Sequence, residues 1–242
     1  IEKIEEEKYS PPNIILSEIL ESVDDVSKSK DFIVAYLQKR KIHEKYWSDI
    51  YYTDNFKKMI NDIFYPDKYK HVDDEDRRIV FPLYNSNKKL VGIQGRSFSQ
   101  SEPRYLTIKL DEKEILMYGL QFLKNDYIFV CEGIFDSLMV ENGVAALGSS
   151  IRTELNNYVD SGKIVYVFDN EKRNKNIVDN YKYIAKSDQY GLFIWDKNVT
   201  EKDLNEYAIK HNLSQEKMRQ FILSSTIFGS LNKSIKLSNW LS

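Results

Sequence analysis

Residues 126–150 read DYIFVCEGIFDSLMVENGVAALGSS: an apolar run, Tyr127 to Val130, then Cys131, the pair Glu132-Gly133, and Asp136. A short aromatic and β-branched run bounded by glycine reads as a buried strand. The apolar residues beyond it, at three- and four-residue intervals, read as a helix. Two carboxylates therefore stand where a strand gives way to a helix, and the rest of the chain shows what they are for.

The pattern repeats downstream. VAAL (144–147), KIVYVF (163–168) and GLFIW (191–195) read as further strands. Between and after them FDSLMVEN, RTELNNYVD, NIVDNYKYIAKSDQ and EKDLNEYAIKHN read as helical stretches. A β-α-β-α order predicts a parallel sheet covered by helices and wound right-handed. Upstream the periods differ. SEILESVDD (17–25) and KDFIVAYLQKR (30–40) space their apolar residues as helices do, after prolines at 11 and 12. Residues 51–78 are irregular and aromatic-rich, closing on DDED. RIVFPLYNSNKKLVGIQGRSF (78–98) then reads as two strands around a polar turn at 85–89, and RYLTIKL (104–110) as another strand. We therefore divide the chain into an N-terminal α+β part (1–119), an α/β part (120–210) and a helical tail (211–242).

Composition narrows the possibilities. Of 242 residues, 42% are hydrophobic and 30% charged, and the net charge is −2. That is the make-up of a water-soluble globular protein. No run of about 18 apolar residues occurs, so no membrane partner is expected. The opening IEKIEEEKYS lacks an apolar stretch behind a basic start, so no secretory leader is expected either. The single cysteine, Cys131, can form neither an internal disulfide nor a zinc ribbon, and it reads as a buried thiol in a reducing, cytoplasmic setting. Its histidines, at 43, 71 and 211, lie far from it in sequence.

In an open parallel sheet, ligands bind at the carboxyl ends of the strands. Glu132 and Asp136 follow the first strand, Asp169 and Glu171 follow KIVYVF, and Asp203 follows GLFIW and its loop. If these strands are neighbours, the carboxylates converge, and they would raise one another's pKa unless a cation neutralised them. An oxygen-only set suits Mg²⁺ or Mn²⁺ rather than zinc. Gly133 is expected to let the backbone turn sharply and to leave room for a phosphate or metal. Taken singly, each acid could instead cap the helix that follows it. As a set, each at a strand end, they point to metal.

VCEGIFDSLMVENGVAALGSS resembles the first block of the TOPRIM domain, and VYVFDNE resembles its second, with Glu171 where the usual pattern has Asp. The upstream FPLYNSNKKLVGIQGRSF, EPRYLTIKL and LMYGL resemble the basic subdomain that precedes TOPRIM in bacterial and phage primases, and AYLQKRKI resembles the helix that opens that core. FDNEKRNK is most like the primases of large, T4-like tailed phages. The resemblance covers roughly residues 30 to 210. It implies a Rossmann-like TOPRIM sheet with helices on both faces, preceded by a smaller α+β basic subdomain.

It also implies a DNA primase core that makes short RNA primers on single-stranded DNA from ribonucleoside triphosphates, with two or more Mg²⁺ or Mn²⁺ ions. Glu132, Asp169 and Glu171 would be catalytic. Glu132, Asp136, Asp169, Glu171 and Asp203 would hold metal. Arg96 and Arg104, with Tyr105, would face template or nucleotide; Lys109 and Lys113 compete for a further basic position, with Lys109 counted in the set. A replicative helicase is the expected partner of the tail. The alternatives are a TOPRIM nuclease, which shares the carboxylates but has no need of the basic hairpin, and a non-catalytic recombination or scaffold protein, which would show no metal-dependent polymerisation.

Overall fold

The computed structural model describes residues 11, 14–26, 30–98, 103–147, 153–157 and 159–242. Within them the chain divides into two units by internal contacts, one holding residues up to Asp31 together with Lys45–Leu116, the other Phe32–Glu44 and Met117–Ser242. Two helices open the chain, a single turn α1 (Val23–Val26) in the first unit and α2 (Asp31–Lys39), almost all of which lies in the second. Among the described residues no helix is long and apolar enough to cross a membrane.

The first unit is built on an antiparallel sheet of order β1-β2-β3-β4, formed by β1 (Tyr51–Thr53), β2 (Arg78–Tyr84), β3 (Leu90–Ser97) and β4 (Tyr105–Lys109). The β2–β3 hairpin turns where the polar run stands. There the Asn85 side chain accepts hydrogen bonds from the N–H groups of Asn87 and Lys89, each at 3.0 Å, and Lys88 takes the left-handed conformation. Helix α3 (Phe56–Met59) starts at Asn55, whose side chain accepts from the Lys58 N–H at 3.0 Å, and runs on through a π-turn, Ile60–Phe64. Phe56, Ile60 and Phe64 pack in one core with Val80, Ile93 and Ile108 from the sheet. A Cβ at Gly95 would lie 2.6 Å from the Phe56 ring, so this glycine lets α3 close on β3. The acidic run DDED ends in a structural pair: Asp76 accepts from buried Arg78 at 2.7 Å, and Arg78 also donates to the Gly95 carbonyl. The sequence pattern misses β1, three residues long and without alternation.

The second unit contains the expected parallel sheet. Its order is β6-β5-β7-β8-β9, from β5 (Ile128–Cys131), β6 (Gly143–Ala145), β7 (Ile164–Val167), β8 (Gly191–Phe193) and β9 (Thr226–Ile227). The first four are parallel, and β9 adds an antiparallel edge on β8 that the helical reading of the tail did not foresee. Helices α4 (Ile134–Ser137), α5 (Lys175–Ala185), α6 (Leu204–His211), α7 (Gln215–Ser225) and α8 (Ser230–Leu241) complete it. α4 packs on β5 and β6, α7 on β8, and α5 on β8 and α8. The stretch FDSLMVEN gives only the single turn α4, because the chain must return to β6 within a few residues. Asn142 is left-handed, and a Cβ on Gly143 would sit 1.9 Å from the Ser137 carbonyl. Of RTELNNYVD only the 3-10 turn Thr153–Asn157 is seen, and the end of the first block (148–150) lies outside the described residues.

The MYGL motif belongs to this second unit. Tyr118 exchanges backbone hydrogen bonds with Ala145, at 3.1 and 3.0 Å, beside β6. Gly119 sits at φ +97°, where a Cβ would strike the Gly143 carbonyl at 2.6 Å. The motif therefore straddles the division at 119 read from sequence, and Phe32–Glu44, well before it, also groups with the second unit.

The tail is part of the fold rather than an appendage. Trp240 is buried with its ring 4.6 Å from that of Tyr181. Lys233, fully buried on α8, donates its ammonium to the carbonyls of Ile184 (3.3 Å) and Tyr190 (2.7 Å) and to that of Ser187, satisfying the C-terminal end of α5. Lys233→Ala would remove the buried donor shared by those carbonyls, of which that of Ile184 would keep the Ser187 N–H. We expect it to cost about 2–4 kcal/mol, read as a lower urea midpoint with an unchanged slope.

Candidate metal-binding and catalytic site

The carboxylates meet at the rim where β5 and β7 end, because these strands are hydrogen-bonded neighbours in parallel register, with Cys131 opposite Val167. Glu132 follows β5, and its Oε1 accepts the backbone N–H of Asp169, just beyond β7, at 3.3 Å. Asp136 lies in α4 and accepts the Asn205 N–H of α6 at 3.0 Å. Asp203 caps α6, accepting from the Glu206 N–H at 2.7 Å. Glu171, beyond Asp169, is turned toward Lys202 (3.1 Å) and Asn174 (3.0 Å).

Gly133 plays a different part from the one its sequence position suggests. Its backbone is extended (φ −112°), so no sharp turn depends on it, but a Cβ there would lie 3.2 Å from the Asp136 carboxylate. The glycine makes room for an acid, not for a bend. Cys131 is buried, as expected, and burial pushes its thiol well above the usual range, with Asp136, Asp169 and Glu132 adding to the effect.

Crowding of like charges out of water shows in the pKa values. Asp169 is pushed up to about 9, first by burial and then by the carboxylates of Asp136, Glu132 and Asp203, with Lys202 opposing. Asp136 rises to about 7, through burial and then Asp203. Burial also raises Asp203 and Glu132. Glu171 behaves differently: burial pushes it up, but Asn174 and Lys202 outweigh that and hold it below the usual range.

Among the described residues no three His, Cys, Asp or Glu side chains are grouped so as to hold one metal ion. In this conformation most of the acids are turned to backbone N–H groups or to Lys202. The donor set nevertheless fits a hard divalent cation in kind: oxygen-only, and with four members protonated more readily than a free carboxylate.

Three residues that sequence reasoning passed over hold the site together. Asn170 donates its side-chain amide to the carbonyls of Val199 (2.9 Å) and Glu201 (3.0 Å) and accepts from the Trp240 indole at 2.8 Å. It thereby ties the loop bearing Asp203 to the end of β7 and to α8. Arg40, just past α2, donates to the Asn205 side chain at 3.1 Å while Asn205 donates back to the Arg40 carbonyl at 2.7 Å. Its charge opposes the rise at Asp136 and Asp203. Lys202 is the third. Asn170's place between two acids could have marked it, whereas nothing local marks Arg40, 165 residues from its partner.

The expected nucleic-acid set lies in the first unit. The Arg96 side chain is mostly buried, with its guanidinium 4.7 Å from the Tyr105 ring centroid and hydrogen-bonded to the Tyr105 hydroxyl. Tyr105 is 40% exposed. Arg104 is exposed, and Lys109 is partly so, its carbonyl accepting from the Tyr65 hydroxyl at 2.7 Å.

The raised value of Asp169 has a consequence for stability. In the unfolded chain an Asp titrates near about 3.9, so folding favours the protonated form. Its contribution is complete below that value and is lost as pH rises toward about 9. Asp169→Asn should therefore stabilise the protein in chelator at pH 8 by on the order of 1–2 kcal/mol. The gain should shrink toward zero at pH 4.5, as checked by paired urea titrations.

No family model matches the chain. It is 29% identical to the DNA primase of Enterobacteria phage T4 over 243 aligned positions, covering 99% of this chain and 69% of that protein. It is 27% identical to the DNA primase of Synechococcus elongatus over 57% of this chain but only 23% of that protein. In structure it is similar to the Escherichia coli primase catalytic core (TM-score 0.64, 16% identity, 94% of this chain and 84% of that one). It is also similar to the zinc-binding and RNA polymerase domains of the Aquifex aeolicus primase (TM-score 0.61, 18% identity, 85% and 59%). Matched over almost its whole length by a phage DNA primase, and sharing its fold with a bacterial primase catalytic core, the chain is similar to DNA primases.

Proposed function

We propose that this chain is the catalytic core of a DNA primase, joining ribonucleotides into short primers on a single-stranded DNA template with Mg²⁺ or Mn²⁺. The observation that carries this reading is the rim that brings Glu132, Asp136, Asp169 and Asp203 together, where burial and then the neighbouring acids push up Asp136 and Asp169. We assign residues 120–210 to the TOPRIM domain, 1–119 to the basic subdomain and 211–242 to the helical tail. A DnaG primase catalytic domain of the same fold (TM-score 0.63, 16% identity) has been solved bound to single-stranded DNA, which supports the choice of template.

Glu132, Asp136, Asp169 and Asp203 would hold the ions, with Glu171 joining once it releases Lys202. When bound, two such ions would offset charge on the attacking and leaving oxygens. The chain supplies the rest. Glu132, raised by burial and bonded to the Asp169 N–H, would take the proton of the attacking 3′-hydroxyl. Asn170 and Asn205 fix the loop and helix that carry Asp203. Arg104, with Tyr105 and Lys109, would grip phosphates, and Arg96 would position Tyr105 by stacking on it. For the helicase, the exposed side of α8 is the candidate face: Leu231 is 73% and Ile235 55% open.

The direct test is synthesis of labelled primers on single-stranded DNA. Asp169→Ala should lower the rate by roughly two to three orders of magnitude. Template cleavage without primers would mean a nuclease instead, and neither activity would mean a scaffold. Arg104→Ala should weaken template binding and reduce the slope of log affinity against log salt by about one, measured by fluorescence anisotropy. Replacing both Leu231 and Ile235 by Ser should remove co-sedimentation with the replicative helicase at unchanged melting temperature.

A further inference from the structure

The basic run KRNK (172–175) has no role in the chemistry above. In the structure Lys172 and Arg173 line an open cleft of about 410 Å³ whose other wall carries Lys197 and Thr200, and Glu171 lines the same cleft. Among the described residues Lys172, Arg173 and Lys197 make no ion pair with a carboxylate. The neighbouring cations Lys202 and Lys210 are both paired, with Glu171 and Glu201. Three cations without a close ion pair thus line one cavity, against the single carboxylate of Glu171, an acid of the candidate metal site.

The cleft has a fixed frame. Its walls are two loops cross-linked by the Asn170 amide, at 2.9 Å to Val199 and 3.0 Å to Glu201, and by the Asn170 N–H, at 2.6 Å to the Lys202 carbonyl. The Asn174 side chain accepts from the Asn176 N–H and starts α5 directly behind. Lys172 lies 5.8 Å from the ring of buried Trp240. A rigid cleft only as long as two short loops suits a compact polyanion better than an extended strand, which would need cations spaced along a track.

We propose that this cleft binds the β- and γ-phosphates of the incoming nucleoside triphosphate and, after the reaction, pyrophosphate. The assignment rests on the primase reading and adds to it the place where the leaving group sits. In the transfer the 3′-oxygen forms a bond to the α-phosphorus, and the bond from that phosphorus to its bridging oxygen breaks. The electron pair stays on pyrophosphate, and the hydroxyl proton passes to a base. Negative charge grows on the leaving oxygen as the bond breaks, and Lys172, Arg173 and Lys197 neutralise it.

The experiment is calorimetric titration of the full chain with inorganic pyrophosphate in chelator. Wild type is compared with the triple variant Lys172→Ala, Arg173→Ala, Lys197→Ala and with a charge-keeping triple of Lys172→Arg, Arg173→Lys and Lys197→Arg. We expect the alanine variant to bind about tenfold or more weakly and the charge-keeping variant to bind like wild type. In primer synthesis the alanine variant should show a KM for nucleotide raised by a similar factor, with affinity for single-stranded DNA within a factor of about two. Unchanged pyrophosphate affinity in the alanine variant would overturn the proposal, and so would loss of DNA affinity with nucleotide KM intact. Because pyrophosphate binding is read without any synthesis, its loss or retention in the alanine variant tests the cleft, whereas a chain that makes no primers would refute the primase reading and with it the assignment to an incoming nucleotide.

Discussion

Four carboxylates gathered at one rim of a parallel sheet, largely out of water, cannot all be ionised without a compensating charge. Every other feature of the site follows from that constraint. It raises Asp169 to about 9 and Asp136 to about 7, and it turns Glu171 toward the cation that is available, Lys202. It also explains the surrounding scaffold. Asp136 and Asp203 accept N–H groups from the first turn of one helix, α6, and Glu132 accepts one from beside Asp169. Such bonds favour the charged form and offset part of the cost of burial.

A site that stores repulsion needs rigid support, and the support comes from distant parts of the chain. Asn170 links the end of β7 to the loop bearing Asp203 and to Trp240 of α8. Phe168, one residue before Asp169, has its carbonyl bound by both the Trp195 indole and the Tyr181 hydroxyl. Arg40 reaches the same neighbourhood through Asn205. The C-terminal helix, which reads from sequence as a tail, is thus one of the struts that place the acids, and its buried Lys233 closes the end of α5.

Much of this was legible in the sequence because apolar period and strand-end acids are local signals. The four parallel strands, the β2–β3 hairpin and the helices α2, α5 and α6 stand where periodicity puts them. What escaped was set by non-local contact. β1 and β9, three and two residues long, are strands only because β2 and β8 pair with them. Helix α4, which carries Asp136, stops after one turn because Gly143 must pass under the Ser137 carbonyl. The sequence suggests that Gly133 gives a sharp turn and room for a phosphate or metal, yet it serves by lacking a side chain beside Asp136. Arg96, expected to face template or nucleotide, has its side chain mostly buried against Tyr105, an arrangement that depends on β3 and β4 being paired. No sequence window contains both partners of the Arg40–Asn205 pair.

A divalent ion bound at the rim would relieve this repulsion. The most direct measurement is Mn²⁺ titration of the chelator-stripped protein at pH 7.5, with calorimetry in buffers of different ionisation heat to count protons. Binding at these carboxylates must displace the proton held by Asp169, so release of roughly one proton per chain is predicted, and Asp169→Asn should abolish it. Mn²⁺ that binds without expelling a proton, or that binds the variant equally well, would contradict the account.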